Sequence, residues 1–268
     1  MNPKLFAIVC GIAAIGFAQS VQGAITLNEI FINPPGTDNG QEFIEIRSTT
    51  GGVESMTGLS LIILEGDGTN PGLVDVVLNL STFSTGTNGL FMWRDAVSTI
   101  SPAAEVGTVI NIADFTPDLE NGSFTFLIVS DFTGALTQDL DADNNGLLDV
   151  TPWSSVIDAV GYIENDGAAN VAYAAPLGFT NLGPEAGFNA DVLLRDSTTG
   201  TWLFGDVLGT NPGGPYTMDP TTGRTSFGAI GTESVTPGGA NFSAVPEPSR
   251  TLFLGLSFIG FVFRRRRA

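Results

Sequence analysis

The densest group of potential metal ligands in this sequence is the acidic segment 139–149, Asp-Leu-Asp-Ala-Asp-Asn-Asn-Gly-Leu-Leu-Asp. Asp141, Asp143 and Asn145 alternate along it, and Gly146 follows directly. Alternate oxygens on a tightly curled loop converge on one point, and a glycine permits the sharp turn. Carboxylates placed this close together repel one another, and a bound divalent cation removes that repulsion. The spacing therefore predicts a site for a hard cation, with calcium as the expected ion.

The same segment resembles the calcium-binding loop of the EF-hand. The resemblance places ligands at positions 1, 3, 5, 7 and 9 of that loop, which are here Asp141, Asp143, Asn145, Leu147 (through its carbonyl) and Asp149. Position 12 is Pro152 where the family has a bidentate glutamate, and no flanking helices are predicted. The closing ligand must then come from elsewhere, and Asp139, Asp131 and Asp158 are candidates. We expect a structural calcium ion; the alternative is a solvated acidic loop without a metal.

The remaining chemistry argues against an enzyme. The sequence has no histidine, which removes the commonest general base near neutral pH, and its one cysteine is Cys10 in the apolar N-terminal segment. Glu29, Glu42 and Glu45 could serve as the paired carboxylates of a hydrolase, but their alternation along strands favours hydrogen-bonding roles. We predict a non-enzymatic protein. Two alternatives remain: a calcium-assisted carbohydrate-binding module for extracellular polysaccharide, and a carboxylate-based hydrolase.

The charge distribution limits the possible partners. All 28 acidic residues lie between Ala24 and Ser249, where there are four arginines and no lysine. A body this acidic repels nucleic acid and anionic lipid and attracts cations. We therefore predict no nucleic-acid partner.

Short apolar runs separated by glycine- and proline-rich turns fill the body of the chain, residues 24–243. Their period-two alternation predicts β-strands, and no run has a helical stripe. The predicted strands are 25–30, 42–46, 59–64, 73–80, 89–93, 106–112, 123–130, 156–162, 191–195 and 202–204, with an edge strand near 224–230. So many short strands predict an all-β sandwich of two antiparallel layers, with 131–155 as an acidic loop insertion.

Two pieces of this body resemble the lamin-tail domain, an immunoglobulin-like β-sandwich. The opening piece runs from Leu27-Asn28-Glu29-Ile30 through Pro35-Gly36 to Glu42-Phe43-Ile44-Glu45-Ile46, and the closing piece is Thr236-Pro237-Gly238-Gly239-Ala240-Asn241. The resemblance implies an immunoglobulin-like fold for 24–243. The body is much longer than the family domain requires, so it implies long loop insertions as well.

The N-terminal segment 1–23 has the pattern of a secretory signal peptide. Lys4 precedes an apolar run, and small residues then allow cleavage between Gly23 and Ala24. Cleavage after Ser20 and an uncleaved signal helix are the alternatives. The pattern predicts export through the Sec machinery.

The C-terminal segment 244–268 has three parts in a fixed order. Val245-Pro246-Glu247-Pro248 is followed by the apolar run 251–263 and then by Arg264, Arg265, Arg266 and Arg267. As a helix this run spans roughly 20 Å, less than the ~30 Å hydrocarbon core, so it suits a short, transient membrane helix.

This tail resembles the PEP-CTERM sorting signal of Gram-negative bacteria. The resemblance implies transient anchoring in the inner membrane and recognition by an exosortase that cuts near the Pro-Glu-Pro element. An ordinary C-terminal membrane anchor is the alternative. We therefore expect a protein of the cell envelope, cell surface or extracellular matrix.

Overall fold

A computed structural model describes residues 25–36, 40–95, 102–115, 119, 121–164, 170–184, 189–209, 216–219 and 235–242. The predicted signal helix with its Gly23–Ala24 cleavage site, the edge strand near 224–230 and the sorting tail 244–268 lie outside these residues. The described residues contain strands and turns but no helix, so none of them forms a helix that could span a membrane.

Thirteen strands are present in the described part of the chain. They are β1 (Ile25–Phe31), β2 (Phe43–Ser48), β3 (Leu59–Glu65), β4 (Val74–Asn79), β5 (Leu90–Arg94), β6 (Val109–Ile112), β7 (Phe124–Ser130), β8 (Ser155–Tyr162), β9 (Thr180–Leu182), β10 (Val192–Arg195), β11 (Trp202–Gly205), β12 (Val207–Leu208) and β13 (Thr217–Met218). The ten predicted strands between residues 25 and 204 all occur, most within two residues of their expected ends. The short strands β9, β12 and β13 were not predicted.

The strands form two large sheets with a sandwich-like layout. One has six strands in the order β11-β10-β1-β2-β5-β6, the other has five in the order β4-β3-β7-β8-β9, and β12 pairs with β13 alone. The all-β prediction is confirmed. The prediction of purely antiparallel layers is wrong, because β5 pairs with β6, and β8 with β9, in parallel. Each of these parallel pairs is joined by a connection of a dozen or more residues, which is the length that a parallel crossover requires.

The central core lies between the two sheets. On the six-stranded sheet, alternate residues of neighbouring strands point into it, among them Leu27, Ile44 and Phe91. The five-stranded sheet faces them with residues that include Ile63 and Phe126. Burying one such side chain completely stabilises the fold by about 1.5–3 kcal/mol, so this cluster is the main source of folding free energy.

The outer faces of both sheets are buried as well. Phe31, Phe43 and Tyr216 belong to a second apolar cluster on the outer face of the six-stranded sheet. A third cluster, which includes Leu127 and Tyr173, covers the outer face of the five-stranded sheet. The central strands are therefore buried on both faces, including the polar residues Glu29 and Glu45 within them. Part of the extra chain length forms these outer layers.

A buried ion pair joins the two sheets. Arg195 of β10 contacts both carboxylate oxygens of Asp158 of β8 through Nη2 at 2.7 Å, and its Nε donates to the Leu27 carbonyl at 2.8 Å. The Leu27 amide in turn donates to Asp158 at 2.8 Å, and the guanidinium lies 4.4 Å from the ring centroid of Trp202. Burial raises the pKa of Asp158, and the adjacent guanidinium opposes this rise. These contacts fix the lateral position of one sheet against the other.

Candidate functional site

The acidic segment leaves β7 and returns to β8 on the outer side of the five-stranded sheet. Before the cluster of carboxylates, residues 137–140 pair with the chain at the start of β4. Val74 donates its amide to the Gln138 carbonyl at 2.9 Å, and Leu140 donates to the Gly72 carbonyl at 3.0 Å. This backbone pairing holds the first residue of the loop, Asp141, in a defined place beside the sheet.

Asp141 forms the buried base of the loop. Its carboxylate accepts hydrogen bonds from the amides of Asn145 at 3.1 Å and Gly146 at 2.8 Å, and from the Tyr173 hydroxyl at 2.8 Å. Burial acts to raise the pKa of Asp141, but the bonds from Tyr173, Gly146 and Asn145 outweigh it, so the pKa is lowered. Asp141 is therefore ionised at neutral pH, as a metal ligand must be.

The backbone curls as the glycine in the segment predicted. Gly146 has a φ of +83° and Asn144 a φ of +54°, both in the left-handed region that glycine and asparagine tolerate best. Oxygens of Asp141, Asp143 and Asp149 come within 4.8 Å of one another as a result. Asp143 and Asp149 are exposed, so a cation would enter from solvent and meet the buried Asp141 last.

Other polar groups of the loop are paired within it. Asn145 donates from Nδ2 to Asp143 at 2.9 Å and accepts the Leu147 amide at 2.8 Å, while Asp149 accepts the Ala142 amide at 3.0 Å. A cation coordinated by the Asn145 side-chain oxygen would replace the bond from Leu147. The loop is thus folded near a binding geometry by its own hydrogen bonds, and ion binding would need only local adjustment.

The remaining sequence-predicted ligands have distinct positions. Asp139 accepts the Asp141 amide at 3.0 Å, so it braces the loop from the side of the sheet. Asp131 lies beside Gly58, where β3 begins, and its amide donates to the Gly58 carbonyl at 2.9 Å. Asp158 belongs to the ion pair with Arg195 and is not available as the closing ligand.

Tyr173 was not identified from the sequence, although it connects the loop to the protein interior. Its ring is fully buried in the outer cluster of the five-stranded sheet, and its hydroxyl reaches Asp141. Burial and the bond to Asp141 raise the pKa of Tyr173 strongly, so the phenol stays protonated and remains a donor. Gly72 permits the approach from the other side, because a Cβ at this position would lie 2.7 Å from that of Asp141. No sequence spacing links these residues.

A second cluster of carboxylates lies on the outer face of the six-stranded sheet. Glu29 and Glu45 are direct cross-strand partners on β1 and β2, next to a bulge at Asn28, and both are completely buried. Both carboxylates accept hydrogen bonds from the closing segment 236–241. Thr236 donates its amide and hydroxyl to Glu29 at 3.0 and 2.6 Å, and Gly238 donates its amide to Glu45 at 2.6 Å.

Two buried carboxylates that face each other across neighbouring strands disfavour each other's ionised form. Burial raises the pKa of Glu29 to about 7 against the hydrogen bonds from Thr236. Burial, together with the neighbouring Glu29, raises the pKa of Glu45 well above its ordinary value. The hydrogen bonds from Thr236 and Gly238 make the pair a latch between the opening and closing segments.

The other residues considered for chemistry are mainly interior. Glu42 is buried like Glu29 and Glu45, so a hydrolase that used these carboxylates would have to open the fold to admit a substrate. Trp93 and Trp202 belong to the central core, while Trp153 is half-buried against the cluster beneath the acidic loop. The tryptophans thus serve mainly in packing.

No protein-family model and no curated protein matches this chain.

Proposed function

We propose that this protein is a non-enzymatic, exported protein of the bacterial cell surface or extracellular matrix, with a structural calcium ion in the loop around Asp141, Asp143 and Asp149. The observation that carries the proposal is the convergence of these three carboxylates, at EF-hand-like spacing, on a loop tied to the interior by Tyr173. Asp141, Asp143, Asn145, the Leu147 carbonyl and Asp149 supply the oxygens, and Asp139 braces them. Because the ligand set contains only oxygen, it suits calcium better than zinc or copper.

The setting of the loop supports a structural role. The loop contributes Leu140 and the half-buried Leu148 to the cluster that covers the five-stranded sheet. An ion that fixes the loop would therefore also fix this apolar layer. Extracellular modules bind calcium with dissociation constants of about 0.1–1 mM, which matches an environment where calcium is abundant.

The two ends of the sequence support export. A signal peptide cut between Gly23 and Ala24 would direct the chain to the Sec machinery. A tail of the PEP-CTERM type would hold it briefly in the inner membrane of a Gram-negative bacterium until an exosortase removes the tail. A body without cysteine needs no disulfide chemistry after export.

Calcium at 10 mM is expected to raise the melting temperature of the protein by about 3–10 °C. A dissociation constant of about 0.1–1 mM gives a stabilisation of about 1.4–2.7 kcal/mol, and a domain of this size gains about 2–4 °C for each kcal/mol. Thermal unfolding followed by circular dichroism, in calcium and in EDTA, measures the difference.

Asp143→Asn is the most informative variant, because Asp143 is exposed and its replacement removes a ligand charge without emptying the core. It should lose most of the calcium response while it keeps the melting temperature in EDTA. The double variant Asp141→Ala/Asp143→Ala should lose the response completely. Asp114→Asn, an exposed aspartate outside the loop, is the matched control and should respond like the wild type. The absence of a calcium response in the wild type would refute the structural calcium site.

A further inference from the structure

A cavity of about 240 Å³ lies at one end of the six-stranded sheet, on its outer face. Its floor is formed by buried residues of three segments that meet there: Asn28 of β1, Leu90 of β5 and Gly239 of the closing segment. Thr49, Gly51, Glu105 and Ala240 form an exposed rim. This cavity and the acidic loop lie on opposite sides of the sandwich, because the loop packs on the five-stranded sheet.

Arg47 gives the cavity its charge character. Along β2, Phe43, Glu45 and Arg47 point to the same outer face, so the side chain of Arg47 continues the row beyond the buried glutamate pair. Within the part of the chain that the structure describes, the Arg47 guanidinium donates no hydrogen bond and joins no ion pair. In a body with four arginines and 28 carboxylates, a half-buried guanidinium without a partner is an unusual feature.

Hydrogen-bonding groups surround this cation. Asn28 lies at the floor, where its Nδ2 donates to Glu45 and Asn241. Asn88, Ser48, Thr49 and the Glu105 carboxylate complete a wall that is rich in acceptors and hydroxyl groups.

We propose that this cavity binds the carboxylate-bearing sugar unit of a uronic acid. The carboxylate of the ligand pairs with Arg47, whose planar fork suits bidentate recognition. Its hydroxyl groups donate to the Glu105 carboxylate at the rim. The volume accommodates one sugar ring and not a longer segment. This site goes beyond the proposed function, needs no calcium, and gives the carbohydrate-binding alternative a location outside the acidic loop.

Isothermal titration calorimetry of the full chain with D-glucuronate tests the proposal. The buffer contains EDTA, so that neither calcium bound by the ligand nor a failure of the calcium proposal affects the result. A ligand of this size in a small site is expected to bind one to one with a dissociation constant on the order of 1 mM. D-glucose and methyl glucuronate, which lack the carboxylate charge, should bind at least about tenfold more weakly.

Two variants locate the site. Arg47→Gln should weaken glucuronate binding at least about tenfold, and Ala240→Phe should abolish binding by filling the cavity from its exposed rim. Arg94→Gln is the matched control, because Arg94 lies at the opposite end of β5 from Leu90, which lines the cavity. This variant should bind glucuronate like the wild type. Unchanged melting temperatures of all three variants would show that the fold is retained.

Three results would overturn the inference. The first is the absence of saturable binding of glucuronate by the wild type. The second is equal binding by the wild type and Arg47→Gln. The third is tighter binding of glycine or alanine than of glucuronate, since the cavity would then recognise an amino acid through both of its charges.

Discussion

Asp158→Ala is expected to lower the free energy of unfolding by about 3–5 kcal/mol, the largest single effect expected from this structure. The substitution leaves the Arg195 guanidinium, whose side chain is only 20% exposed, without its counter-charge between the sheets. It also removes the acceptor of the Leu27 amide. Urea unfolding at neutral pH, followed by tryptophan fluorescence, measures the loss.

A double variant distinguishes the effect of the unpaired charge from the effect of lost side-chain packing. Asp158→Leu combined with Arg195→Met removes both charges together and should recover the part of the loss that comes from the unpaired guanidinium, but not the part that comes from the Leu27 amide. Glu54→Ala, which removes a carboxylate outside the ion pair, is the control and should cost about 0.5 kcal/mol or less. A loss below about 1 kcal/mol for Asp158→Ala would show that the ion pair does not hold the sheets together.

The free energy of unfolding should also fall as the pH rises from about 5 to 8, by about 2–3 kcal/mol. The folded pKa of Glu29 is about 7, above the ordinary value of 4.5, so the native state binds more protons than the unfolded state between these two values. The contribution of this group is complete below the ordinary pKa and is lost as the pH rises through the folded pKa. Glu45, whose pKa is raised as well, contributes to the loss in the same direction.

Urea unfolding at several pH values between 5 and 8 measures this slope. Glu29→Gln mimics the protonated carboxyl, so it should flatten the slope and make the variant more stable than the wild type at pH 8. Glu54→Gln removes a carboxylate outside the latch and should leave the slope unchanged. The acidic loop is not expected to mask the effect, because the lowered pKa of Asp141 acts only at lower pH. A wild-type stability that stays level or increases from pH 5 to 8 would contradict the raised pKa of Glu29.

Much of the fold could be predicted from the sequence because strand alternation is a local property. The strands Ile25–Phe31 and Phe124–Ser130 could be predicted from the types and the alternation of their own residues. Burial of both faces could not be read from them, since it depends on which distant segments cover each sheet. The parallel pairings of β6 and β9 depend in the same way on crossovers whose direction no local signal specifies.

The same distinction between local patterns and contacts of distant segments applies to the candidate sites. The curled acidic loop was predictable because Asp141, Asp143 and Asp149 lie within nine residues of one another, and the curl at Gly146 follows from the residue type. The contact of Tyr173 with Asp141 joins residues 32 positions apart, and the bond of Gly238 to Glu45 spans 193. Such contacts arise from tertiary packing. The roles of Glu29 and Glu45 as a latch, and the cavity beside Arg47, became visible only with the structure.

The intact mass of the protein recovered from the medium and cell envelope of its native host tests the central proposal most directly. Export and sorting predict a chain that starts at Ala24 and ends close to Val245-Pro246-Glu247-Pro248, so that Lys4 and the arginines at 264–267 are gone. Any attached glycan or lipid would appear as additional mass on that chain. Recovery of the complete chain, Met1 to Ala268, from the cytosol would contradict the proposal.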